Sequence, residues 1–196
     1  MKNTNPKYEL LDTDTVKTLC GKTLFRIRAL VAIGSYVAIG DLGGYIENQS
    51  NLSVSGNAYV SGDAQVFGNA YVYGNAQVCG NAQVYGNACV SGDARVSGNA
   101  YVFGDAYVCG NAQVSGNAQV SGDAYVSPIH IQGLHWPVTI ADKQMVIGCQ
   151  AHTLAEWEAF DNCTIADMDG KNALKFWAVY KDILLGMARA ENRDFT

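Results

Sequence analysis

Proline is scarce in this chain, with 3 residues beside 21 glycines in 196. That balance excludes a collagen-like chain and a Pro-rich disordered linker. Charge is also sparse, at 16% of residues against about 25% in an ordinary globular protein. Cations are the minority, 13 against 18 anions, for a formal net charge of −5. A non-specific nucleic-acid binder needs a basic surface to displace counterions from phosphates, so that class is excluded. No apolar run approaches the roughly 18–20 residues of a membrane span. The start, Met1-Lys2-Asn3-Thr4-Asn5-Pro6-Lys7, lacks the apolar stretch of a secretory signal. The six cysteines (Cys20, Cys79, Cys89, Cys109, Cys149, Cys163) form no CxxC pair and no framework spacing. Reduced thiols and a cytoplasmic location are therefore expected.

What the chain does have is a strict period of six. From Gly56 to Ser127 the pattern Gly-(Asn/Asp)-Ala-x-Val-x runs twelve times, interrupted by no insertion. This period fits neither an amphipathic helix nor a hairpin meander, but it fits a parallel β-helix in which each hexad is one short strand plus a bend. Ala58 and Val60 are two apart, so in an extended segment both point inward. Gly and Asn/Asp occupy the bend because they tolerate positive φ, and Asn side chains in successive coils can bond to one another. The two variable positions point outward.

The repeat resembles that of the hexapeptide-repeat left-handed β-helix proteins. Val60-Ser61-Gly62-Asp63-Ala64-Gln65 matches their aliphatic and small positions, with the glycine one place later than usual. The resemblance implies three hexads per coil, a left-handed winding and a homotrimer. The expected fold is therefore mainly β: about four regular coils, a degenerate coil over 37–54, a β-rich amino-terminal cap and a carboxy-terminal α-helical segment. The corresponding division is 1–54, 55–127 and 128–196. In the degenerate coil Leu42, Ile46, Leu52 and Val54 keep the aliphatic register, Asn48 breaks it, and Pro128 ends the repeat.

With 18 residues per coil, the exposed chemistry falls into columns. After each valine, one face carries Phe67, Tyr85, Phe103 and Ser121, a second Ser61, Cys79, Ser97 and Ser115, and a third Tyr73, Ser91, Cys109 and Ser127. Before it come Tyr59/Gln77/Arg95/Gln113, Gln65/Gln83/Tyr101/Gln119 and Tyr71/Cys89/Tyr107/Tyr125. Arg95 is the one cation of the tract. Polar, aromatic and nearly uncharged faces suit a protein interface or a site that stacks planar ligands. Phe67, Tyr85, Phe103, Tyr71, Tyr107 and Tyr125 are the stacking candidates, with Arg95, Arg26 and Arg28 as phosphate contacts for a nucleotide-like ligand.

In the flanks, Phe25, Ile27 and Ala29 alternate with Arg26 and Arg28, predicting a half-buried strand. Gly34, Gly40, Gly43 and Gly44 read as turns, since they lack dinucleotide-binding spacing. Thr153-Leu154-Ala155-Glu156 predicts a capping box opening a short helix through about Phe160. A longer helix is predicted over 172–189, with the apolar stripe Ala173, Phe176, Trp177, Tyr180, Ile183, Leu184 and Met187. That stripe needs a partner, either a face of the β-helix or another subunit's helix. The segments Leu24–Leu30, Gly40–Glu47 and Ile147–His152 are similar to those of small phage and prophage β-helix proteins, a group with no reaction to carry over.

Hexapeptide-repeat enzymes transfer acyl groups from acyl-CoA or acyl carrier protein, using a His base beside a loop that interrupts the coils. This tract has neither. His130, His135 and His152 all follow the repeat, leaving His130 and His135 as weak candidates for a relocated base. Cys149, His152, Asp161 and Cys163 have the donor types for zinc but no zinc-site spacing. Neither a cofactor nor a metal is expected. The function that follows is non-enzymatic: a homotrimer binding a small nucleotide-like ligand or a host protein, with an acyltransferase and a structural assembly protein as alternatives.

Overall fold

A computed structural model describes residues 5–196. The expectation about a secretory signal falls partly on Met1–Thr4, outside the described residues. The chain forms two compact units, Met1–Ser127 and Pro128–Thr196.

The first unit is a parallel β-solenoid of about four turns with amino-terminal strands. β1 (Tyr8–Lys17) and β2 (Thr23–Ala29) form an antiparallel hairpin, and β3 (Leu42–Ile46) pairs antiparallel with β2. β3 also pairs in parallel with Gln65–Val66, which makes it the junction between hairpin and coils. Eleven two-residue strands follow, from Tyr59–Val60 to Gln119–Val120. Residues 18 apart are neighbours throughout: Gln65, Gln83, Tyr101 and Gln119 on one face, Tyr59, Gln77, Arg95 and Gln113 on a second, Tyr71, Cys89 and Tyr107 on a third. Every valine from Val60 to Val120 and every alanine from Ala58 to Ala124 is buried. Fully burying each valine is worth about 1.5–3 kcal/mol, which offsets the ordering of the bends.

At the corners, Asn57 donates to Asn75 at 3.2 Å and Asn75 to Asp93 at 3.0 Å, while Asn69 donates to Asn87 at 3.0 Å and Asn87 to Asp105 at 2.9 Å. The third corner runs from Asn81 to Asn99 to Asn117. Each amide donates to the next coil, so an Asp can only receive. Asn87→Asp removes the donor to Asp105 and sets two carboxylates face to face. Because the ladder is exposed, the expected loss is about 1 kcal/mol, partly recovered as salt screens the repulsion; thermal unfolding at low and high salt reads this out.

The degenerate coil departs from the predicted register. Leu42 and Val54 are 56% and 50% exposed, so they do not continue the interior column, whereas Ile46 and Leu52 do. Asn51 is buried in their layer, and its side-chain amide donates to Gly68 O at 3.0 Å and Ala70 O at 2.9 Å. Gly43 and Gly44 are not turns but part of β3. A Cβ at Gly44 would lie 2.5 Å from Ala64 O, and one at Gly43 2.4 Å from the Ile27 side chain, so the strand seats only without side chains there. At the other end Val126 is 57% exposed: only the bridge between Val108 and Ala124 continues the pairing before Pro128.

The second unit is an antiparallel meander of β4 (Ile129–Ile131), β5 (Val138–Ile140), β6 (Gln144–Ile147) and β7 (Gln150–Thr153), followed by α1 (Leu154–Ala159) and α2 (Asn162–Ala190). Thr153 and Glu156 form the predicted capping box. α2 begins about ten residues before the predicted start, capped by Asp161, whose carboxylate accepts from Thr164 N at 2.8 Å. It breaks at Asp169 and Gly170, the latter at φ 55°, and resumes. The apolar stripe is covered within its own unit: Phe176, Trp177 and Leu184 join one core with Val138, Ile140, Met145 and Ile147 of the meander. Leu154 and Trp157 of α1 belong to the same core, so the stripe is buried by its own unit. Ile183 faces outward at 54% exposure, and Leu185 and Ala188 are buried in its stead. Among the described residues no helix is long and apolar enough to cross a membrane.

Candidate functional site

The outward columns of the solenoid carry most of the predicted site residues, distributed over three faces. Phe67, Tyr85 and Phe103 follow the strands of the first face and stack as a ladder. Their ring centroids are 5.1 and 5.6 Å apart, with interplanar angles of 5° and 13°. The stacking follows from the coil spacing, because side chains at equivalent positions repeat at the interstrand distance. One end of the ladder is roofed: Leu24 of β2, Tyr45 of β3 and Phe67 form a small buried cluster with Val16 against them. Phe103 remains half-buried, and Tyr101 beside it is 37% exposed.

Tyr71, Tyr107 and Tyr125 belong to the third face. Tyr71 stacks on Tyr73 at 5.1 Å, and Tyr107 meets Tyr125 edge-on at 6.0 Å. The hydroxyls of Tyr73 and Tyr107 are 2.9 Å apart, and Ser91 Oγ lies 3.3 Å from the Tyr107 hydroxyl. Tyr73 was therefore missing from the predicted set. Its signal was available, since it is the post-valine aromatic beside the Tyr71 column.

The three arginines are not brought together. Arg95 stands on the second face, exposed, with a guanidinium nitrogen 2.9 Å from Gln77 Oε1. Arg26 is built into the cap: it donates to Asp14 at 2.7 Å and to Gly43 O at 2.9 Å, bonds the Tyr45 hydroxyl, and lies 4.2 Å over that ring. Arg28 pairs with Glu9. Among the described residues of the first unit, then, Arg26 and Arg28 are paired with carboxylates of the cap, and Arg95 stands on a different face from the ladder.

The histidines lie in the second unit. His130 is on β4, with Nδ1 3.0 Å from Thr139 Oγ1, and burial holds it below the ordinary imidazole range. His135 is exposed and packs edge-on against Trp136. His152 sits between Trp157 and Phe160, with Nδ1 3.9 Å from Glu156. Among the described residues no three His, Cys, Asp or Glu side chains cluster as a metal site would require.

The family model described as YdcK Beta solenoid repeat matches residues 64–80, 76–92 and 82–98. The starts are offset by 12 and 6 residues, whole hexads of the repeat. The repeat is a β-solenoid repeat. No curated protein matches the chain. The match includes Phe67, Tyr71, Tyr73, Tyr85 and Arg95, while Phe103, Tyr107 and Tyr125 lie beyond it.

Proposed function

We propose that the protein is a non-enzymatic β-solenoid that assembles as a homotrimer and holds a small nucleotide-like ligand in the grooves between subunits. The ladder of Phe67, Tyr85 and Phe103 on a nearly uncharged face supports this reading: its Phe103 end, half-buried beside the exposed Tyr101, is where a planar base would continue the stack. Arg26 and Arg28 are engaged in the cap, so the phosphate contact falls to Arg95 of an adjacent subunit. The groove joins one subunit's ladder face to the next subunit's Arg95 face. The hexapeptide-like repeat supports the trimer, and the similarity of the flanks to phage β-helix proteins supports sequestration of a host signal in the host cytoplasm as the role.

Native mass spectrometry of freshly purified protein, followed by denaturation to release any bound molecule, tests this directly. The expected result is a trimer with a few hundred daltons of releasable ligand. Arg95→Gln should keep the trimer and lose the extra mass, whereas Tyr101→Asp, which puts a charge beside the ladder, should lose both. A bare trimer redirects the ligand assignment to a host protein. A Tyr101→Asp trimer with unchanged bound mass would show that the ladder face is not the interface.

A further inference from the structure

A groove opens at the amino-terminal end of the third solenoid face, and it follows from a slip in the degenerate coil. The regular step of 18 residues would pair Val54 with Val72, but Leu52 takes that place. Leu52 is buried there, and Val54 turns outward at 50% exposure. The position that pairs with Tyr71 then falls to Asn51, which is buried and bonded to Gly68 O and Ala70 O. The Tyr71 column ends at this point. The groove left beside it holds about 510 Å³, within the range of small-molecule sites.

Tyr71 forms one wall and is 36% exposed. Its ring is braced from behind, because it stacks on Tyr73 at 5.1 Å and Tyr73 stays out of the groove. The Tyr73 hydroxyl is 2.9 Å from that of Tyr107, which Ser91 Oγ approaches to 3.3 Å. The wall is therefore fixed before any ligand arrives, which lowers the ordering cost of binding.

The rest of the rim is polar, with Gln49, Ser50 and Ser55 exposed beside Val54. The Ser50 hydroxyl donates to Asn48 Oδ1, which leaves its oxygen as an acceptor. Ser55 is positioned by its N–H, which donates to Ser53 Oγ at 3.1 Å, and its own hydroxyl can both donate and accept. Among the described residues no Asp, Glu, His, Lys or Arg lines this groove. A charged ligand would find no counter-charge, and a wholly apolar one would strip water from the serines without replacing it. One fixed aromatic ring beside neutral groups that donate and accept matches a pyranose. Its C–H face packs on a ring, and its hydroxyls each donate and accept.

From this we infer that the groove binds a neutral sugar ring, its C–H face stacked on Tyr71 and its edge hydroxyls bonded to Ser50, Ser55 and Gln49. The site belongs to the third face, so it is separate from the ladder face, from the Arg95 face and from the ligand proposed for them.

Saturation-transfer NMR and titration of the full-length protein test this, with methyl β-glucoside, methyl β-galactoside and methyl α-mannoside as probes. At least one should bind saturably, with the strongest transfer to the C–H protons of one ring face. Glucose-6-phosphate should bind no tighter than the glucoside. Tyr71→Ala should weaken binding about tenfold, and Tyr71→Phe, which keeps the ring, should hold it within about threefold. Ser55→Ala should cost about fivefold. Val54→Trp fills the groove from an exposed position and leaves Tyr71 in place; it should abolish binding, so a misfolded Tyr71→Ala variant does not end the test. No saturable binding of any of the three glycosides by the native protein would overturn the site. Unchanged binding in both Tyr71→Ala and Val54→Trp would overturn its location. Tighter binding of glucose-6-phosphate or of adenosine than of every glycoside would overturn the neutral sugar as the ligand class.

Discussion

Gly86→Ala should cost the solenoid about 3 kcal/mol, read as a lower denaturant midpoint by far-UV circular dichroism. Gly86 has φ 74°, where an L side chain costs about 1–2 kcal/mol on its own. A Cβ there would also lie 2.9 Å from Gly104 N and 3.0 Å from Gly104 O, backbone atoms of the next coil that cannot swing aside. Gly104 O accepts from Asn87 N at 2.8 Å, so moving that bend breaks the ladder bond between the coils. Gly21→Ala provides the control. Gly21 has φ 79° but nothing within 4 Å of an added Cβ, and the expected cost is the backbone component alone, about 1–2 kcal/mol. Equal losses for the two variants would mean that the contact between coils contributes nothing.

Stability should rise by about 1–2 kcal/mol from pH 8 to just below pH 10 and then fall. Lys7 is buried, its ammonium held by Ser53 O at 3.0 Å and Ala58 O at 2.7 Å, and burial lowers its pKa to about 8. Between that value and the ordinary lysine value near 10.5, the unfolded chain holds a proton that the folded chain has released. Raising the pH therefore favours the fold through this window, by about 1.4 kcal/mol per unit at full linkage. Below pH 8 both states are charged and the contribution is flat. Above about pH 10 the sign reverses, because burial raises Tyr8 and Tyr59 to about 12. Their unfolded phenols ionise first, which draws the equilibrium toward unfolding. Urea titrations at pH 7, 8, 9 and 10 should show the rise, and Lys7→Met should abolish it. A Lys7→Met protein that still gains stability across this window would place the titrating group elsewhere.

The repeat was legible because its physics is local and periodic. Val84 is buried for the same reason as Val102, and the Asn87 ladder follows from the Asn69 position by translation through one coil. Where the period lapsed, reading by register failed. Leu42 was placed inside because it is aliphatic, but β3 is held by the absence of side chains at Gly43 and Gly44, a requirement set by Ile27, Val60 and Ala64. Composition likewise marked the aromatic columns but not their roofing by Leu24 and Tyr45. Arg26 read as a free cation because Asp14 and Tyr45 come into reach only when β1, β2 and β3 pair.

The amino-acid order alone determined the repeat, its solenoid fold and the inward Ala and Val, while the coil of three hexads, and with it the outward columns, came from the resemblance to hexapeptide-repeat proteins. The first group is dictated by alternation along a strand and repetition every six residues. The tertiary structure decided which faces are open and which are roofed, which arginines are spent in the cap, and where the helix of the second unit finds its partner. Such contacts join residues with no fixed sequence spacing, so they are set by how β4–β7 pair and by where Gly170 breaks α2.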